Sequence, residues 1–295
     1  MGYAILAVSL LAGVTKGYCG KKMGSFAENT TSAVLLNLVR MLLCVAFGAL
    51  LLVLSRDADS LTFEPKILAI SALSGISTSV FVITWILAVR KSAYMMLDVF
   101  LMLGTLVPML CGYVAFGEAV SAKQWLGFLV LVAAVVIMCS YNNAIKTKLT
   151  ASSLVLLAVC GLSNGITDFL QKTFVRTVAD APLLIFNLYT YFFAAVTLGV
   201  IYPFAAAKQK PQFGEGVRGK YVYVFVMSAT LLIHSYFKTM AASYLDSAQL
   251  YPLSQGCSLI LSALMAAVMF KEKLTLRGIL GIVTAFVGLL IMNFL

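Results

Sequence analysis

The fold of this chain is decided by a stretch that occurs twice, as FGEAVSAKQWLG at residues 116–127 and as FKEKLTLRGILG at residues 270–281. The similarity extends further, because Ala88–Met138 falls on Ala242–Met292 without a gap when it is shifted by 154 positions. Apolar coincidences carry little weight in so apolar a chain. The glutamates carry more, since the chain has only five and two of them stand at equivalent points of the two copies. We therefore predict an internal duplication.

The composition is that of a membrane protein. Hydrophobic residues make up 62% of the chain and charged residues 11%, whereas soluble domains carry about 25% charged residues. A segment that crosses the bilayer needs about 20 mainly apolar residues in a helix, because lipid offers the backbone no other hydrogen-bond partner. The first apolar stretch lacks a basic segment before it, so we expect no cleaved signal peptide. We predict a multi-pass integral membrane protein, surrounded by the lipid bilayer of the plasma (cytoplasmic) membrane.

Hydropathy divides the chain into ten predicted spans. Their bounds are Tyr3–Gly20, Ala33–Leu54, Ile67–Val89, Tyr94–Phe116, Gln124–Tyr141, Ser153–Leu170, Leu183–Phe204, Tyr221–Ala242, Ala248–Phe270 and Leu276–Phe294. The division between the fifth and sixth spans gives two halves, residues 1–143 and 150–295. Because each half has an odd number of spans, the second half enters the bilayer from the opposite side, as in the inverted repeats of secondary transporters. We therefore predict an all-α membrane protein of ten transmembrane helices, arranged as two inverted five-helix repeats around a central cavity.

The charged residues and the cysteines argue against several other classes of protein. The net charge of +10 comes largely from basic residues in short loops, which is typical of membrane proteins and indicates no nucleic-acid partner. The six cysteines are scattered through apolar runs without a CxxC pair, so we interpret them as small buried residues. The sequence has no His/Asp cluster, no metal-ligand spacing and no GxxxxGKS/T loop. We therefore predict no enzyme activity, no metal and no cofactor.

The repeated motif is the basis of a family resemblance. GEAVS at residues 117–121, followed by Gln124, and EKLT at residues 272–275, followed by Gly281, are accompanied by LVR at residues 38–40. In these residues the chain resembles the drug/metabolite transporter superfamily, in its ten-helix EamA-like type, over essentially its whole length. The resemblance implies a transporter in which spans one to four and six to nine surround a central cavity, while spans five and ten pack at the periphery. It leaves the substrate open.

The motif itself is expected to stabilise the scaffold. Ser121 followed by Gln124 is the pattern of a capping box at the start of span five. Glu118 is expected to form an ion pair with nearby Lys123 at the level of the lipid headgroups. Glu272 is expected to pair in the same way with the basic residue at the equivalent place in the second copy. A role of these glutamates in gating or in substrate binding stays open as the alternative.

Polar and ionisable residues inside membrane spans are costly, so they usually face a cavity and mark function. On this basis we predict a substrate-binding site formed by Lys16, Trp85, Asn164, Asp168, His234, Lys238, Tyr251 and Gln255. Two pairs are four residues apart and so share a helix face, Asn164 with Asp168 and His234 with Lys238. The alternatives are structural: lysines that extend towards the headgroups, a histidine bonded to a neighbouring helix, and a tryptophan packed in the core.

Other contacts of these ionisable residues are also expected. Lys16 and Asp168 are predicted to lie on opposite sides of the midplane, with a substrate or water between them rather than a direct ion pair. Arg40 is expected to pair with a carboxylate or with backbone carbonyl groups. Asp98 is expected to pair with the basic residues at positions 90–91.

The balance of charge within the spans indicates the kind of substrate. Basic side chains outnumber acidic ones there, which favours a small anionic or zwitterionic metabolite, moved by an ion gradient or by substrate exchange. Two alternatives remain: an exporter of cationic drugs or quaternary amines with Asp168 as counter-charge, and a flippase for lipid headgroups. The basic residues of the loops favour termini outside the cytoplasm, whereas the resemblance favours termini inside it. A monomer is expected, although the sequence does not fix the oligomeric state.

Overall fold

The protein is helical in the residues that a computed structural model describes, which are 1–24, 26–55, 61–90, 94–140, 151–178, 181–214, 220–269 and 276–293. These residues form eleven helices and no strand, with one isolated antiparallel bridge between Ala27 and Phe213. The helices are α1 (Gly2–Gly24), α2 (Thr30–Leu54), α3 (Pro65–Arg90), α4 (Tyr94–Gly104), α5 (Leu106–Phe116), α6 (Ala122–Ser140), α7 (Ala151–Thr177), α8 (Leu183–Lys208), α9 (Lys220–Ala242), α10 (Ser247–Met269) and α11 (Leu276–Asn293).

The ten predicted spans all coincide with helices, and the fourth is divided into α4 and α5 at Thr105. Pro108 explains the division, because proline has no N–H to bond the carbonyl group four residues earlier and its ring crowds that carbonyl. The carbonyl in question belongs to Gly104, and its oxygen lies against Gly165 of α7 instead. The helix of the sixth span ends at Thr177, later than predicted.

The surface of the bundle is that of a protein surrounded by lipid. In the described ranges, six helices are long and apolar enough to cross a membrane, namely α1, α2, α3, α7, α8 and α9. Three shorter apolar helical segments accompany them, Phe100–Phe116, Ala122–Ile137 and Gly278–Asn293. Large apolar side chains such as Leu11 and Val53 are exposed on the outside of the bundle. An apolar exterior of this kind fits a hydrocarbon environment rather than water.

The most extensive helix packing joins the first part of the chain to the second. α6 packs against α11, α1 against α9, α3 against α7, and α2 against α8. Glycines allow the closest approaches, as is common between helices in membranes. A Cβ atom at Gly127 of α6 would lie 2.7 Å from the backbone oxygen of Gly288 in α11, and one at Gly165 would collide with the backbone oxygen of Gly104. The two parts of the chain therefore form a single interlocked bundle.

Successive long helices run in opposite directions, which gives the bundle two ends. We call one the Glu118 end; it carries the α5–α6, α7–α8 and α9–α10 turns together with the start of α1, where Gly2 lies against Leu245. We call the other the Asn29 end; it carries the α1–α2 and α8–α9 connections. These names locate the contacts described below.

The α8–α9 connection is fixed to the start of α2 at the Asn29 end. Asn29 caps α2, since its Oδ1 accepts from the backbone N–H of Ser32 at 2.8 Å. Its Nδ2 donates to the carbonyl oxygen of Lys210 at 2.7 Å, and Thr31 Oγ1 donates to that of Ala205 at 3.0 Å. The prolines and glycines of this connection predict a flexible loop, but its described part, residues 209–214, is hydrogen bonded to the segment that leads into α2.

Candidate substrate site

A cavity of about 230 Å³ lies inside the bundle. Its lining residues come from eight helices, α1, α2, α3, α4, α7, α8, α9 and α10. These are the helices of predicted spans one to four and six to nine. The helices of spans five and ten, α6 and α11, pack against each other instead. Both parts of the chain thus contribute to the wall of one internal space.

Seven of the eight predicted site residues line this cavity: Lys16, Trp85, Asn164, Asp168, His234, Lys238 and Gln255. The eighth, Tyr251, is buried behind the lining. Its hydroxyl group donates to the backbone oxygen of Asp168 at 2.7 Å, and the Nζ of Lys238 lies 5.1 Å from the centre of its ring. Tyr251 therefore supports two lining residues and does not itself face the cavity.

Asp168 and Lys238 form an ion pair in the cavity wall. The Nζ of Lys238 donates to Oδ1 of Asp168 at 2.6 Å, and this bond joins α7 to α9. Lys16 lies close enough to interact electrostatically with both of them and with Arg40. The pair was not predicted from the sequence, because its members are 70 residues apart on different helices.

His234 is held by α1 at the edge of the cavity. Its Nδ1 lies 2.8 Å from the backbone oxygen of Ser9, and the hydroxyl group of Ser9 donates to the backbone oxygen of His234 at 2.8 Å. Since a carbonyl oxygen only accepts, we assign the ring proton to Nδ1, which leaves Nε2 as an acceptor in the neutral ring. Gly13 lies against the ring, because a Cβ atom there would be 3.0 Å from Nδ1. His234 therefore lies in the cavity wall, as predicted, and is also bonded to a neighbouring helix, which was the predicted alternative.

The contacts of Arg40 differ from those predicted. No carboxylate or carbonyl partner occurs in the described part of the chain; Nη1 contacts the sulfur of Met227 at 3.6 Å, and Nε has no hydrogen-bond partner. The side chain is only 4% exposed and lines the cavity, so its unused donor belongs to the cavity wall. Asp98 lines the cavity as well, and its predicted pairing with the basic residues at 90–91 falls on side chains outside the described ones.

A group of uncharged polar residues in the cavity wall was not predicted from the sequence. Ser74, Thr78, Gln171 and Thr190 line the cavity, and each has a buried oxygen atom for which the described residues provide no hydrogen-bond partner. A signal existed for two of them, since Ser74 and Thr78 are four residues apart and share a face of α3. Hydroxyl groups are frequent in these spans, so the spacing alone does not single them out. Among the described residues, no group of three or more His, Cys, Asp or Glu side chains could hold a metal ion.

A second polar cluster lies at the Glu118 end, outside the cavity. Oε1 of Glu118 lies 3.0 Å from Nζ of Lys172 and 2.8 Å from Nη2 of Arg176. Oε2 accepts from the backbone N–H of Ser247 at 2.8 Å, which ties the α5–α6 turn to the start of α10. The prediction that Glu118 pairs with Lys123 is therefore corrected: the ion pairs of the carboxylate are with α7. Glu272, the equivalent glutamate, lies outside the described residues.

The Glu118 carboxylate is held in its charged form. Burial alone would raise its pKa, but hydrogen bonds from Ser247, Arg176 and Lys172 outweigh burial and lower the pKa to about 2. The predicted capping box next to it is confirmed. The backbone N–H of Ser121 donates to Oε1 of Gln124 at 2.8 Å, and that of Gln124 donates to Oγ of Ser121 at 3.2 Å.

The fold and the cavity together define a class of protein. A bundle of apolar helices that encloses a charged internal cavity is the architecture of a membrane transporter. The EamA-like transporter family matches residues 151–294. The predicted resemblance is thereby confirmed as a match over these residues, consistent with the drug/metabolite transporter superfamily. The match indicates a transporter rather than an enzyme, and an integral, multi-pass membrane protein.

Two other comparisons were made, with curated proteins and with solved structures. The search of curated proteins gave no match. A crystal structure described only as that of a protein is similar over 99% of this chain and 96% of its own, with a TM-score of 0.77 and 14% sequence identity. At that identity the likeness establishes a shared fold over the whole chain and nothing about substrate.

Proposed function

We propose that this protein is a secondary-active transporter of a small polar metabolite, anionic or zwitterionic, and that its two halves alternate access to the central cavity. The observation that carries this proposal is the cavity wall itself. Lys16 and Arg40 from the first half and Asp168 and Lys238 from the second half line one internal cavity. Ionisable groups inside a membrane bundle are retained where they contact a substrate, an ion or water.

The contacts between helices support a mechanism of two related halves. If each half contains five spans, the packing of α1 on α9 is the counterpart of the packing of α7 on α3. Exchanging the two halves turns the contact of α2 with α8 into itself, and likewise that of α6 with α11. A pattern of this kind is expected for a pseudo-two-fold arrangement, and an odd number of spans in each half makes the arrangement inverted.

The two ends of the bundle offer the contacts that alternating access would have to break in turn. At the Glu118 end, a carboxylate of the first half is bonded to Lys172, Arg176 and Ser247 of the second half. At the Asn29 end, the start of α2 is bonded to the α8–α9 connection of the second half. Opening either end of the cavity by separating the halves would release one of these sets of bonds.

The charges in the cavity favour an anion or a zwitterion over a cation. The carboxylate of Asp168, which a cationic drug would need as counter-charge, is already bonded to Lys238. The guanidinium of Arg40 retains an unused donor, and Lys16 adds a second positive charge near it. Asp98 is the remaining carboxylate among the described lining residues and could receive the amino group of a zwitterion.

The proposal is tested by transport into proteoliposomes that contain the purified protein. Radiolabelled carboxylates, amino acids and quaternary amines are compared for uptake in exchange for the same unlabelled solute, with Lys16→Met as the site variant. Lys208→Met, an exposed lysine at the end of α8, is the matched control. We expect uptake of at least one anion or zwitterion that Lys16→Met abolishes and Lys208→Met preserves. Uptake confined to quaternary amines, or equal uptake by the two variants, would contradict the proposal.

A further inference from the structure

The cavity contains two chemically different regions. Towards the Asn29 end its wall carries Lys16 and Arg40, which lie in the halves of α1 and α2 nearer that end. Towards the Glu118 end it carries Gln171 and Thr190, which lie in the halves of α7 and α8 nearer that end, with Ser74 and Thr78 close by on α3. The first region offers charged donors. The second offers uncharged oxygen atoms beside the Asp168–Lys238 ion pair, whose charges are already bonded to each other.

The three hydroxyl groups of the second region lie on packed helices. Ser74 and Thr78 share a face of α3, and α3 lies directly against α8, because a Cβ atom at Gly75 would be 2.7 Å from the backbone oxygen of Thr190. Within the described residues, the hydroxyl oxygens of Ser74, Thr78 and Thr190 are buried and have no hydrogen-bond partner. Buried hydroxyl groups without partners are uncommon in proteins and call for a partner at the site.

Gln171 defines what that partner must provide. Its Nε2 donates to Oγ1 of Thr239 at 2.8 Å, and Thr239 in turn donates to the backbone oxygen of Ser235 at 2.8 Å. The amide is thus fixed with Oε1 as the buried atom that lacks a partner. An amide oxygen only accepts, so the ligand must bring a donor to this place. A carboxylate or a fully deprotonated phosphate group cannot supply one, whereas an alcohol can donate here and also accept from a threonine or serine hydroxyl.

The charge and the size of the cavity limit the rest of the ligand. Three basic residues, Lys16, Arg40 and Lys238, and two carboxylic acids, Asp98 and Asp168, line it among the described residues. With all five ionised and His234 neutral, the formal charge of the wall is +1. A monoanion balances this charge, whereas a dianion would leave an uncompensated negative charge away from water. The volume of about 230 Å³ lies below the range of about 300–1,000 Å³ that is typical of sites for drug-sized ligands.

We propose that the substrate is a hydroxylated monocarboxylate, with its carboxylate at Lys16 and Arg40 and its hydroxyl groups at Gln171, Thr190, Ser74 and Thr78. This inference rests on the proposed transport function and names the substrate class of the same cavity. It places the ligand along the cavity, with the carboxylate towards the Asn29 end and the hydroxyl groups towards the Glu118 end.

The test compares matched pairs of acids that differ only in their hydroxyl groups. Glycerate and propionate, threonate and butyrate, and gluconate and hexanoate are titrated calorimetrically into the purified full-length protein, with 6-phosphogluconate as the more highly charged probe. We expect at least one hydroxylated acid to bind at least tenfold more tightly than its partner. We expect 6-phosphogluconate to bind more weakly than gluconate.

Variants identify the region that makes the difference. Thr190→Val keeps the shape of the side chain and removes its hydroxyl group. It should weaken binding of the hydroxylated acid about tenfold, which is the effect of one buried hydrogen bond, and leave the affinity for the unsubstituted acid unchanged. Thr197→Val is the matched control on the same helix, since Thr197 Oγ1 already donates to the backbone oxygen of Phe193 at 2.8 Å. Ser74→Ala should repeat the effect of Thr190→Val from α3.

The outcomes separate this inference from the function on which it rests. If anions bind and Lys16→Met abolishes their binding, but no hydroxylated acid binds more tightly than its partner, the transport proposal stands and the substrate class is wrong. The substrate class is also wrong if Thr190→Val and Thr197→Val behave alike, or if the phosphorylated acid binds most tightly. If no anion or zwitterion binds to or is transported by the wild-type protein, the proposed function itself fails.

Discussion

Two buried polar clusters of this protein differ in how completely their groups are paired. At the Glu118 end, both oxygens of the Glu118 carboxylate accept hydrogen bonds or ion pairs, and the ammonium of Lys172 also donates to the backbone oxygens of Ala242 and Leu245 at 3.0 and 2.6 Å. In the cavity, Arg40 has an unused donor and Gln171 an unused acceptor. The paired cluster holds two parts of the chain together, whereas the unpaired groups of the cavity are the ones that the proposed function assigns to binding another molecule.

The largest effect is expected when the carboxylate of the paired cluster is removed. Glu118→Leu leaves the ammonium of Lys172, whose side chain is 1% exposed, without its ion-pair partner, and loss of one partner of a buried pair costs about 3–5 kcal/mol. We expect a marked fall in the thermal unfolding midpoint of the purified protein. Glu64→Leu removes an exposed carboxylate at the same end of the bundle and serves as the control. Equal midpoints for the two variants would show that the Glu118 cluster does not hold the bundle together.

The complementary change removes a buried cation of the cavity, Arg40, which has no carboxylate partner among the described residues. Arg40→Met should leave the unfolding midpoint unchanged or raise it, because no described ion pair is lost and a buried charge is removed. It should weaken anion binding about thirtyfold, as expected when a hydrogen bond between charged groups worth about 2 kcal/mol is lost. Calorimetry and thermal unfolding on the same sample measure both quantities. A variant that unfolds easily yet binds the anion normally would reverse the roles given to the two clusters.

Acid should weaken the paired cluster. The folded pKa of Glu118 is about 2, below its ordinary value of 4.5, so its charged form contributes stability that is present above pH 4.5 and lost as the pH falls towards 2. We therefore expect the unfolding midpoint of the wild type to fall more steeply between pH 5 and pH 3 than that of Glu118→Gln. Other carboxylates titrate in both proteins, so the difference between the two curves isolates Glu118. Parallel curves would contradict the lowered pKa.

The smallest expected effect is at the Asn29 end, where neutral hydrogen bonds replace ion pairs. Asn29→Ala removes both the cap of α2 and the bond to Lys210, and loss of such a cap costs about 1 kcal/mol. Asn29→Ser keeps a capping oxygen and loses only the donor to Lys210, so it should cost less than the alanine variant. Thermal unfolding of both variants separates the two contributions. A larger loss in Asn29→Ser than in Asn29→Ala would contradict the assignment of Oδ1 as the cap.

The local features of the fold could be predicted from the sequence because they depend on neighbouring residues. Runs of apolar residues located the helices, and the spacing of Ser121 and Gln124 located a capping box that the structure confirms. The division at Thr105 also had a local signal in Pro108, which the prediction of one continuous span did not use. These features follow from hydropathy and from backbone hydrogen bonding within a few residues.

The pairing of charged residues could not be predicted in the same way. Glu118 has Lys123 five positions away in sequence, yet its ion pairs are with Lys172 and Arg176, because the close packing of α7 brings those side chains to the α5–α6 turn. Asp168 likewise pairs with Lys238 across two helices. Because charge is costly in a membrane, the sequence allows an inference about which ionisable residues line a common cavity. It does not show which of these residues remain unpaired, because pairing depends on tertiary contacts.

The central claim, that the cavity receives the transported solute, is tested most directly by measuring whether the solute protects the cavity from chemical labelling. Ser258→Cys places a thiol in the cavity wall at small cost in volume, and the wild-type protein gives the background from the native cysteines. We predict that the anion found in the transport assay slows labelling of Ser258→Cys by a thiol reagent, with half-protection at its dissociation constant. Labelling that proceeds at the same rate in saturating anion would contradict the claim.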